Sequence, residues 1–385
     1  MYSREAINQL KGLPTPFYLY DMGLLRDTLR AASESASGHG YKVHYALKAN
    51  FDPRVFDCVR QFGLGVDCVS GNEVRYAVES GFSPSSIVYA GVGKSDSEII
   101  YGIEAGIFSF NCESREELEV IDYLAAKLGK RARVALRLNP DVDPHTHRHI
   151  TTGHTDSKFG ISPREVEEIV EVLPRLNNIE ITGLHFHIGS QVGDMQAFVH
   201  LCERANILYR WLTERGISLS HINMGGGLAI DYNDPEANPI PDFGSYFAIF
   251  AEHLDIDPGV EVHFELGRSL VGQCGELITR VLYNKTTVSG KQVAIVDASM
   301  TELIRPALYQ AHHAIENLTG TGERREYVVA GPVCESSDIF SHGISLPELR
   351  RGDLVSIKSA GAYGSSMASR YNMHDLPRSV YSDVL

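Results

Sequence analysis

The sequence lacks the features that mark several common classes of protein. Lysine and arginine number 35 against 49 aspartates and glutamates, so the net charge is -14 and no basic face is available for a nucleic acid. No run reaches the roughly 18 apolar residues of a membrane span, and no signal-peptide core follows Met1. These absences predict a cytoplasmic protein with neither a nucleic-acid nor a membrane partner.

Cysteine pairs and several catalytic motifs are also missing. No two of the six cysteines are spaced as in CxxC, so neither a disulfide framework nor a zinc site is expected. Five are expected to be buried thiols, with Cys334 as the exception. No HExxH or GxSxG occurs, so zinc-peptidase and serine-hydrolase chemistry lack their usual motifs.

Two glycine-containing stretches resemble nucleotide-binding motifs without completing them. Ile230 occupies the third glycine position of a GxGxxG pattern counted from Gly225, and Val88 stands where a Walker A motif ending at Lys94-Ser95 needs its first glycine. Nicotinamide and ATP chemistry are therefore disfavoured. The run from Gly225 to Gly227 is either a tight turn or a backbone nest for one phosphate.

Histidines are concentrated between His145 and His154, in a loop rich in Pro, Asp, Thr and Gly. Metal binding is the less favoured interpretation, because the loop has no neighbouring cysteine. Histidines in such a loop more often have a structural role, in which they cap and cover neighbouring elements. A mobile lid over a site is a second hypothesis for the same loop.

Short β-branched or aromatic runs alternate with longer amphipathic stretches over the first two thirds of the chain. The predicted strands are Val43–Leu47, Gly65–Val69, Ile87–Ala90, Ile107–Phe110, Val134–Leu138, Ile181–His187, His221–Met224 and Val260–Glu265. Ser162 with Glu165 predicts the N-cap of one of the helices between them. Strands that alternate with helices in this number indicate an α/β fold, a (β/α)8 TIM barrel rather than a doubly wound sheet.

After Glu265 the pattern changes to strands without long helices between them. These strands are predicted at Gly275–Tyr283, Gln292–Asp297, Arg325–Ala330 and Asp353–Ser359. The C-terminal part is therefore predicted to be an all-β domain, either barrel-like or sandwich-like. We place the barrel at residues 21–268 and the β domain at 1–20 with 269–385, although the run Phe17–Tyr20 could join either domain.

In a barrel of this type, functional side chains gather at the carboxyl ends of the strands. Those ends carry Lys48, Asp67, Arg137, His185, His187, the glycines 225–227, Glu265 and Arg268. A lysine nucleophile, a histidine, an acid and a glycine run beside an arginine suit a single phosphorylated cofactor.

These residues are part of an ordered series of motifs that covers nearly the whole chain. The series comprises Tyr45 to Asn50, Gly65 to Ser70, Arg137 to Pro140, Thr152-Gly153 with Lys158 to Gly160, His185 to Gln191, Gly225 to Gly227, Glu265 to Arg268, Arg305 to Tyr309, Cys334 to Asp338 and Gly361 to Gly364. By these motifs the chain resembles the pyridoxal-phosphate-dependent decarboxylases that pair a barrel with a β domain, and among them the diaminopimelate decarboxylases. The resemblance implies pyridoxal 5'-phosphate as cofactor and conversion of meso-2,6-diaminopimelate to L-lysine and CO2.

The resemblance also implies how the cofactor is held. Lys48 would bind it covalently through an amine whose pKa is lowered by nearby cations or an apolar pocket. Glu265 would keep the pyridine nitrogen protonated and His187 would stack on the ring, whereas His185 would point the opposite way along its strand. The further cofactor-binding residues would be Asp67 and Arg137 around the lysine, and Ser190, Gly226, Gly227, Gly267, Arg268 and Tyr363 around the phosphate.

A third set of implied roles concerns the substrate. Cys334 would protonate the substrate carbon after CO2 has left, and Glu335 would accept the distal ammonium group. Both would reach across the interface of a homodimer into the site of the other copy. Arg268 and Arg305 would bind the distal carboxylate. Their hydroxyl partners would be Tyr309 and Tyr363.

Two alternatives remain open at this point. A decarboxylase of ornithine, arginine or carboxynorspermidine would have no use for the Arg305 clamp. A non-catalytic relative that binds a partner protein should have lost Lys48, Cys334 or Glu265, and all three are present. One departure from the family is Leu266, which stands where proline is often found, between Glu265 and Gly267.

Overall fold

The structure, a computed structural model, describes residues 4–140 and 158–385, so the histidines His145 to His154 lie outside the described part. The helices are α1 (Arg4–Lys11), α2 (Met22–Ser37), α3 (Pro53–Gln61), α4 (Gly71–Glu79), α5 (Asp96–Ala105), α6 (Arg115–Leu128), α7 (Pro163–Val172), α8 (Gln196–Thr213), α9 (Phe243–His253), α10 (Arg268–Val271) and α11 (Arg305–Tyr309). The strands are β1 (Phe17–Tyr20), β2 (Lys42–Ala46), β3 (Gly65–Cys68), β4 (Ile87–Tyr89), β5 (Ser109–Cys112), β6 (Ala132–Arg137), β7 (Ile179–His185), β8 (His221–Asn223), β9 (Glu261–Leu266), β10 (Gly275–Thr286), β11 (Gln292–Val296), β12 (Ile315–Asn317), β13 (Arg324–Ala330), β14 (Ile339–Pro347), β15 (Leu354–Ile357) and β16 (Arg378–Tyr381).

The strands β2 to β9 form a closed barrel, in which β2 pairs in parallel with both β3 and β9. The predicted (β/α)8 architecture is therefore confirmed. Individual strand ends differ from the prediction by up to about two residues, because hydrogen-bond register rather than apolar character sets where a strand ends. Lys48, for example, lies in a short 3-10 helix, Leu47–Ala49, that directly follows β2.

Local capping explains where the helices around the barrel begin. The Ser114 hydroxyl accepts from the Glu117 backbone N–H at the start of α6, and the helix ends at Gly129, whose φ of 60° is left-handed. The predicted N-cap at Ser162 is confirmed, because its hydroxyl and the Glu165 carboxylate form a reciprocal capping box.

A second, mostly β unit follows the barrel and confirms the predicted fold class. Its strands lie in the order β12-β15-β10-β11-β13-β14, and β1 adds to β10 in antiparallel fashion and to β16 in parallel. The strands β12, β14 and β16 were not predicted. Two of them are only three or four residues long, and β14 carries the polar stretch from Ser341 to Gly343, so their sequences show little strand signal.

The two units meet beside the loop that follows β2. The Tyr363 backbone N–H donates to the Ala49 carbonyl at 2.8 Å, and the Asn50 side-chain amide donates to the Gly361 carbonyl at 2.8 Å. These bonds hold the segment from Gly361 to Tyr363 against the carboxyl end of the barrel. None of the helices in the described residues combines the length and apolar character needed to cross a membrane.

Candidate functional site

A cavity opens at the carboxyl ends of β2, β7, β8 and β9, between the barrel and the second unit. It is lined by Ala46, Lys48, His187, Ser190, Gly227, Leu228, Glu265, Gly267, Arg268, Ser269 and Tyr363. Most of the residues predicted for a phosphorylated cofactor are therefore brought together in one place. Leu266 is buried at the end of β9, and the next two residues still line the cavity.

Lys48 is held by a carboxylate from the neighbouring strand. Its Nζ donates to Asp67 Oδ2 at 2.9 Å, and Asp67 is completely buried at the end of β3. Burial lowers the pKa of Lys48, but the charge of Asp67 above all outweighs it and raises this pKa above its ordinary value. The predicted lowering of the lysine pKa is therefore wrong for this arrangement, in which the nearest charges are anionic rather than cationic.

Glu265 is held by three side chains from other strands of the barrel. Its Oε1 accepts from the side-chain amides of Asn111 at 3.0 Å and Asn223 at 2.7 Å, and its Oε2 accepts from His185 Nε2 at 2.8 Å. Burial alone would raise the pKa of Glu265, but His185 lowers it well below its usual range, so the carboxylate is ionised. A carboxylate has about four acceptor sites, so one remains for a ligand.

The two asparagines were missed by sequence reasoning. Asn111 lies within β5 and Asn223 is the last residue of β8, and both side chains are buried. A buried amide needs a hydrogen-bond partner, so this placement was the available signal.

The prediction that His185 points away from the site is wrong. Residues two apart in an extended strand share a face, and His185 hydrogen-bonds Glu265 inside the barrel. His187, two residues on, lines the cavity and its Nδ1 accepts from the Gly226 backbone N–H at 3.3 Å. Burial, followed by the nearby Arg137, lowers the pKa of His187 well below its ordinary value and keeps the ring neutral.

Arg137 lies at the end of β6 and does not line the cavity. Its Nη1 donates to Glu113 Oε1 at 2.8 Å, and the other oxygen of Glu113 accepts from the Gly160 backbone N–H at 2.9 Å. Glu113 was also missed, although it directly follows β5. Its pairing makes Arg137 part of the wall of the barrel end and keeps its charge balanced.

The glycine run after β8 is required by close backbone contacts. A Cβ at Gly226 would lie 1.9 Å from the Glu265 carbonyl oxygen, and Gly225 has a left-handed φ of 71°. Gly227 is also left-handed, with a φ of 112°. The backbone thus approaches β9 more closely than any side chain would allow, at the edge of the cavity where Ser190 and Arg268 lie. This geometry favours the nest interpretation over a simple turn.

Arg268 is a buried cation whose hydrogen-bond partners among the described residues are all neutral. Its Nε and Nη2 donate to Ser190 Oγ at 3.1 Å, and its Nη1 donates to the Tyr232 hydroxyl at 2.6 Å. The guanidinium carbon also lies 4.7 Å from the centre of the Tyr363 ring. Burial lowers the pKa of Arg268, but the tyrosines around it, Tyr232 first, raise it overall, so the charge is kept.

Arg305 lies near Arg268, and both guanidinium groups contact Tyr232. Its guanidinium carbon is 4.5 Å from the centre of the Tyr232 ring, and its Nη1 donates to His313 Nε2 at 2.7 Å. Its Nε is buried and has no hydrogen-bond partner among the described residues. Burial, with Arg268 adding to it, lowers the pKa of Arg305 to about 10, so it too stays charged at neutral pH. The predicted Tyr309 lies near enough to raise the pKa of both arginines.

Tyr232 and His313 are further residues that sequence reasoning missed. Neither belongs to the motifs at the strand ends. Tyr232 bonds to Arg268, which is 36 residues away, and His313 bonds to Arg305, which is 8 residues away. No local pattern identifies such partners.

The site has two sides of opposite charge. We refer to Arg268 and Arg305 with Ser190, Tyr232 and His313 as the guanidinium side of the site. We refer to Asp67, Glu113 and Glu265 with their partners as the carboxylate side.

Cys334 and Glu335 are not brought to the cavity of their own chain. Both are exposed on the segment between β13 and β14. The Cys334 backbone N–H donates to the Asn372 side chain at 3.0 Å, and Glu335 Oε1 accepts from the Tyr371 hydroxyl at 2.7 Å. The segment is thus fixed on the surface.

In the described residues, no cluster of His, Cys, Asp or Glu side chains is placed to hold a metal ion.

Residues 23–272 match a family model, described as the pyridoxal binding domain of the pyridoxal-dependent decarboxylases. A diaminopimelate decarboxylase of Bacteroides thetaiotaomicron is 52% identical over 380 residues, which cover 98% of this chain and 98% of that protein. Another from Aquifex aeolicus is 40% identical over 362 residues, covering 93% and 84% respectively.

Solved structures agree with these sequence relatives. The crystal structure of diaminopimelate decarboxylase from Helicobacter pylori complexed with L-lysine superposes with a TM-score of 0.91 and 37% identity, covering 97% of this chain and 93% of that one.

Proposed function

This chain belongs to the pyridoxal-dependent decarboxylases and, among them, to the diaminopimelate decarboxylases, and on that premise we propose that it releases CO2 from meso-2,6-diaminopimelate and leaves L-lysine. It is accordingly an enzyme of the carboxy-lyase class. Arg305 is the observation that carries the choice of substrate. It is a buried guanidinium that forms no ion pair with a described carboxylate, and one of its donors is unused.

An unpaired buried charge is costly, so this position favours an anionic ligand. Diaminopimelate retains a carboxylate at its distal end, and that group would satisfy the Arg305 Nε. A substrate with only an amine at that end would leave the guanidinium unpaired. The charge of the site therefore supports diaminopimelate over ornithine.

The residues around the cavity fit pyridoxal 5'-phosphate. The glycine backbone at 225–227, the Ser190 hydroxyl and the Arg268 guanidinium form a seat for a phosphate, and no described carboxylate pairs with Arg268 there. Lys48 Nζ would supply the amine for the covalent bond, with Asp67 holding it in place. When bound, the cofactor supplies an electron sink for the electron pair left by the departing CO2.

The chain's own residues orient and charge this site. Glu265, held ionised by two asparagines and His185, presents the negative charge that would keep a pyridine nitrogen protonated. His187 lies on the cavity wall with a neutral ring suited to stacking on a planar ligand. Tyr363, Gly227 and Gly267 would complete the seat.

A second copy of the chain would supply the remaining groups. We infer that Cys334 and Glu335 act in the cavity of a partner subunit, Cys334 by donating a proton to the substrate carbon and Glu335 by binding the distal ammonium group. Both residues are exposed and neither lines the cavity of its own chain, which supports this. So do the exposed apolar side chains of Tyr371 and Met373 beside them, the latter 95% exposed.

Incubation of the purified protein with pyridoxal 5'-phosphate and either meso-diaminopimelate or ornithine, followed by measurement of CO2, tests the proposal. We expect release of CO2 and L-lysine from diaminopimelate, and little CO2 from ornithine. Activity on ornithine with none on diaminopimelate would contradict the proposal. Borohydride reduction should also fix the cofactor on Lys48, and a protein that is not labelled there would not use the site as described.

A further inference from the structure

A buried histidine outside the cavity, His313, holds the Arg305 guanidinium. His313 is 1% exposed, and its Nε2 lies 2.7 Å from Arg305 Nη1. Its other ring nitrogen, Nδ1, lies 2.8 Å from the carbonyl oxygen of Lys358. The ring thus bridges the backbone of the second unit and a cation that lies near Arg268.

The two contacts fix the proton on the ring. A carbonyl oxygen only accepts hydrogen bonds, so His313 Nδ1 must carry the hydrogen. A guanidinium only donates, so His313 Nε2 must be unprotonated and accept through its lone pair. Only the neutral ring can satisfy both partners at once. Burial above all, and the nearby charge of Arg305, lower the pKa of His313 to about 3, so the neutral ring is the state at physiological pH.

The acceptor that orients His313 is itself anchored. The Lys358 backbone N–H donates to the Ala314 carbonyl at 2.9 Å, which ties the two segments together in both directions. The Lys358 amine lies 3.0 Å from Glu276 and 3.1 Å from Glu316. The Tyr232 ring meets His313 edge-on, with centroids 5.0 Å apart, and the same ring also contacts Arg305. Neither the ring nor its acceptor is therefore free to turn.

A neutral acceptor suits an arginine that must bind an anion. A carboxylate in place of His313 would hold Arg305 equally well, but it would neutralise the guanidinium and compete with the ligand. His313 fixes Nη1 and leaves the charge and the Nε donor available. We propose that His313 is a positioning residue that sets selectivity for a ligand with a distal carboxylate, an inference that rests on the proposed function of Arg305.

The test compares two ligands and two matched variants of the holoenzyme. L-Lysine retains the distal carboxylate that Arg305 would bind, whereas cadaverine has the same chain and amines without it. His313→Gln places an amide oxygen near the position of Nε2, while His313→Asn is one bond shorter and reaches only the position of Nδ1. Calorimetry gives the Kd of each ligand without relying on turnover.

We expect His313→Asn to weaken L-lysine binding by about tenfold or more, the loss of one hydrogen bond to a charged group, and to change cadaverine binding by less than about twofold. His313→Gln should stay within about threefold of the wild type for both ligands. For diaminopimelate turnover, the Asn variant should raise KM and leave kcat nearly unchanged. Cadaverine binding serves as the control that the cavity is intact.

Unchanged L-lysine binding by His313→Asn would overturn the inference, and so would an equal loss for both ligands, which would mean general damage rather than a lost carboxylate contact. The proposed function is judged separately on the wild type. If wild-type protein neither binds L-lysine nor releases CO2 from diaminopimelate, the proposed function fails whatever the variants do.

Discussion

The two sides of the site balance charge in opposite ways. On the carboxylate side, Glu265 accepts from three described side chains and Asp67 is paired with Lys48. On the guanidinium side, Arg268 and Arg305 bond only to hydroxyls and a neutral imidazole in the part of the chain that the structure describes. The acids of the first side have partners within the protein, whereas the two positive charges of the second have no negative partner among the described residues. That difference indicates where a ligand must bring its own anions.

The largest effect should come from the lysine of the carboxylate side. Lys48→Ala removes the only amine that lines the cavity in the described residues, and we expect kcat for diaminopimelate to fall by about a thousandfold or more. Borohydride labelling of the protein with cofactor should be lost with it. Lys42→Ala, at the exposed start of β2, is the control and should retain activity. Substantial turnover by Lys48→Ala would mean that Lys48 does not supply the reactive amine.

A smaller loss is expected from the acid opposite that lysine. Glu265→Gln keeps the shape of the side chain and removes its negative charge, so a pyridine nitrogen would no longer be kept protonated. We expect kcat to fall by about a hundredfold to a thousandfold, the range for removing one preorganised electrostatic partner. Cofactor binding, followed by absorbance, should persist. An unchanged kcat would contradict a catalytic role for the negative charge of Glu265.

The guanidinium side should affect affinity rather than rate. Arg305→Met removes the charge that would bind the distal carboxylate, and we expect KM for diaminopimelate to rise by about tenfold to a hundredfold. Arg305→Lys keeps the charge but loses the forked guanidinium donors, so its KM should lie between those of the wild type and Arg305→Met. Steady-state kinetics with both variants gives the split between KM and kcat. A fall in kcat alone would place Arg305 among the reacting groups instead.

Mixing two inactive variants tests whether the sites are shared between copies. Lys48→Ala and Cys334→Ala each disable one contribution, so a random mixture of refolded or co-expressed chains contains hybrid dimers with one intact site. We expect recovery of about one quarter of wild-type activity, from statistical pairing in a twofold dimer. No recovery would mean that both residues serve the same chain, and the exposed position of Cys334 would need another explanation.

The smallest effect is on stability, where acid should act on the two sides in opposite directions. Burial raises the pKa of Asp67, so the folded state takes up a proton at a pH where the unfolded chain does not, and the contribution of Asp67 to stability rises as the pH falls from 7 to 5. His313, with a pKa lowered to about 3, remains neutral while the unfolded histidine is protonated, and stability falls by about 2 kcal/mol over the same range.

Urea unfolding of the protein without cofactor at the two pH values measures both contributions. Asp67→Asn should lose more stability on acidification than the wild type does, because it lacks the stabilisation that comes from protonation of Asp67. His313→Gln should lose less. A shift of the two variants in the same direction would contradict the assignment of these two pKa values.

Sequence patterns predicted the barrel and the lining of its cavity because both depend on short-range periodicity. Apolar runs mark the strands, and the residues after them meet at one end of a barrel. Lys48, Glu265 and Arg268 were found in this way. What the sequence could not show is which side chains meet across strands. Asn111 and Asn223 bond to Glu265 from strands far away in sequence, and Tyr232 bonds to Arg268 from a separate loop. His313 lies only 8 residues from Arg305, but no periodic pattern links the two.

One error had a different cause. His185 was placed facing away from the site, although strand alternation puts it on the same face as His187. The pKa of Lys48 was also predicted in the wrong direction, because the identity of its nearest charge depends on the pairing of β2 with β3. Edge strands such as β12 and β16 stayed hidden because they are too short to show a period.

The pairing of β1 with β10 has a consequence for synthesis of the chain. Tyr20 lies opposite Gly275 in that ladder, so the whole barrel is inserted between two neighbouring strands of another sheet. As the chain leaves the ribosome, the barrel strands are all available before β10 emerges, whereas β1 must wait for it. Contacts between such distant residues form slowly. Tyr363 comes later still, so the seat for the phosphate is completed only when nearly the entire protein has been made.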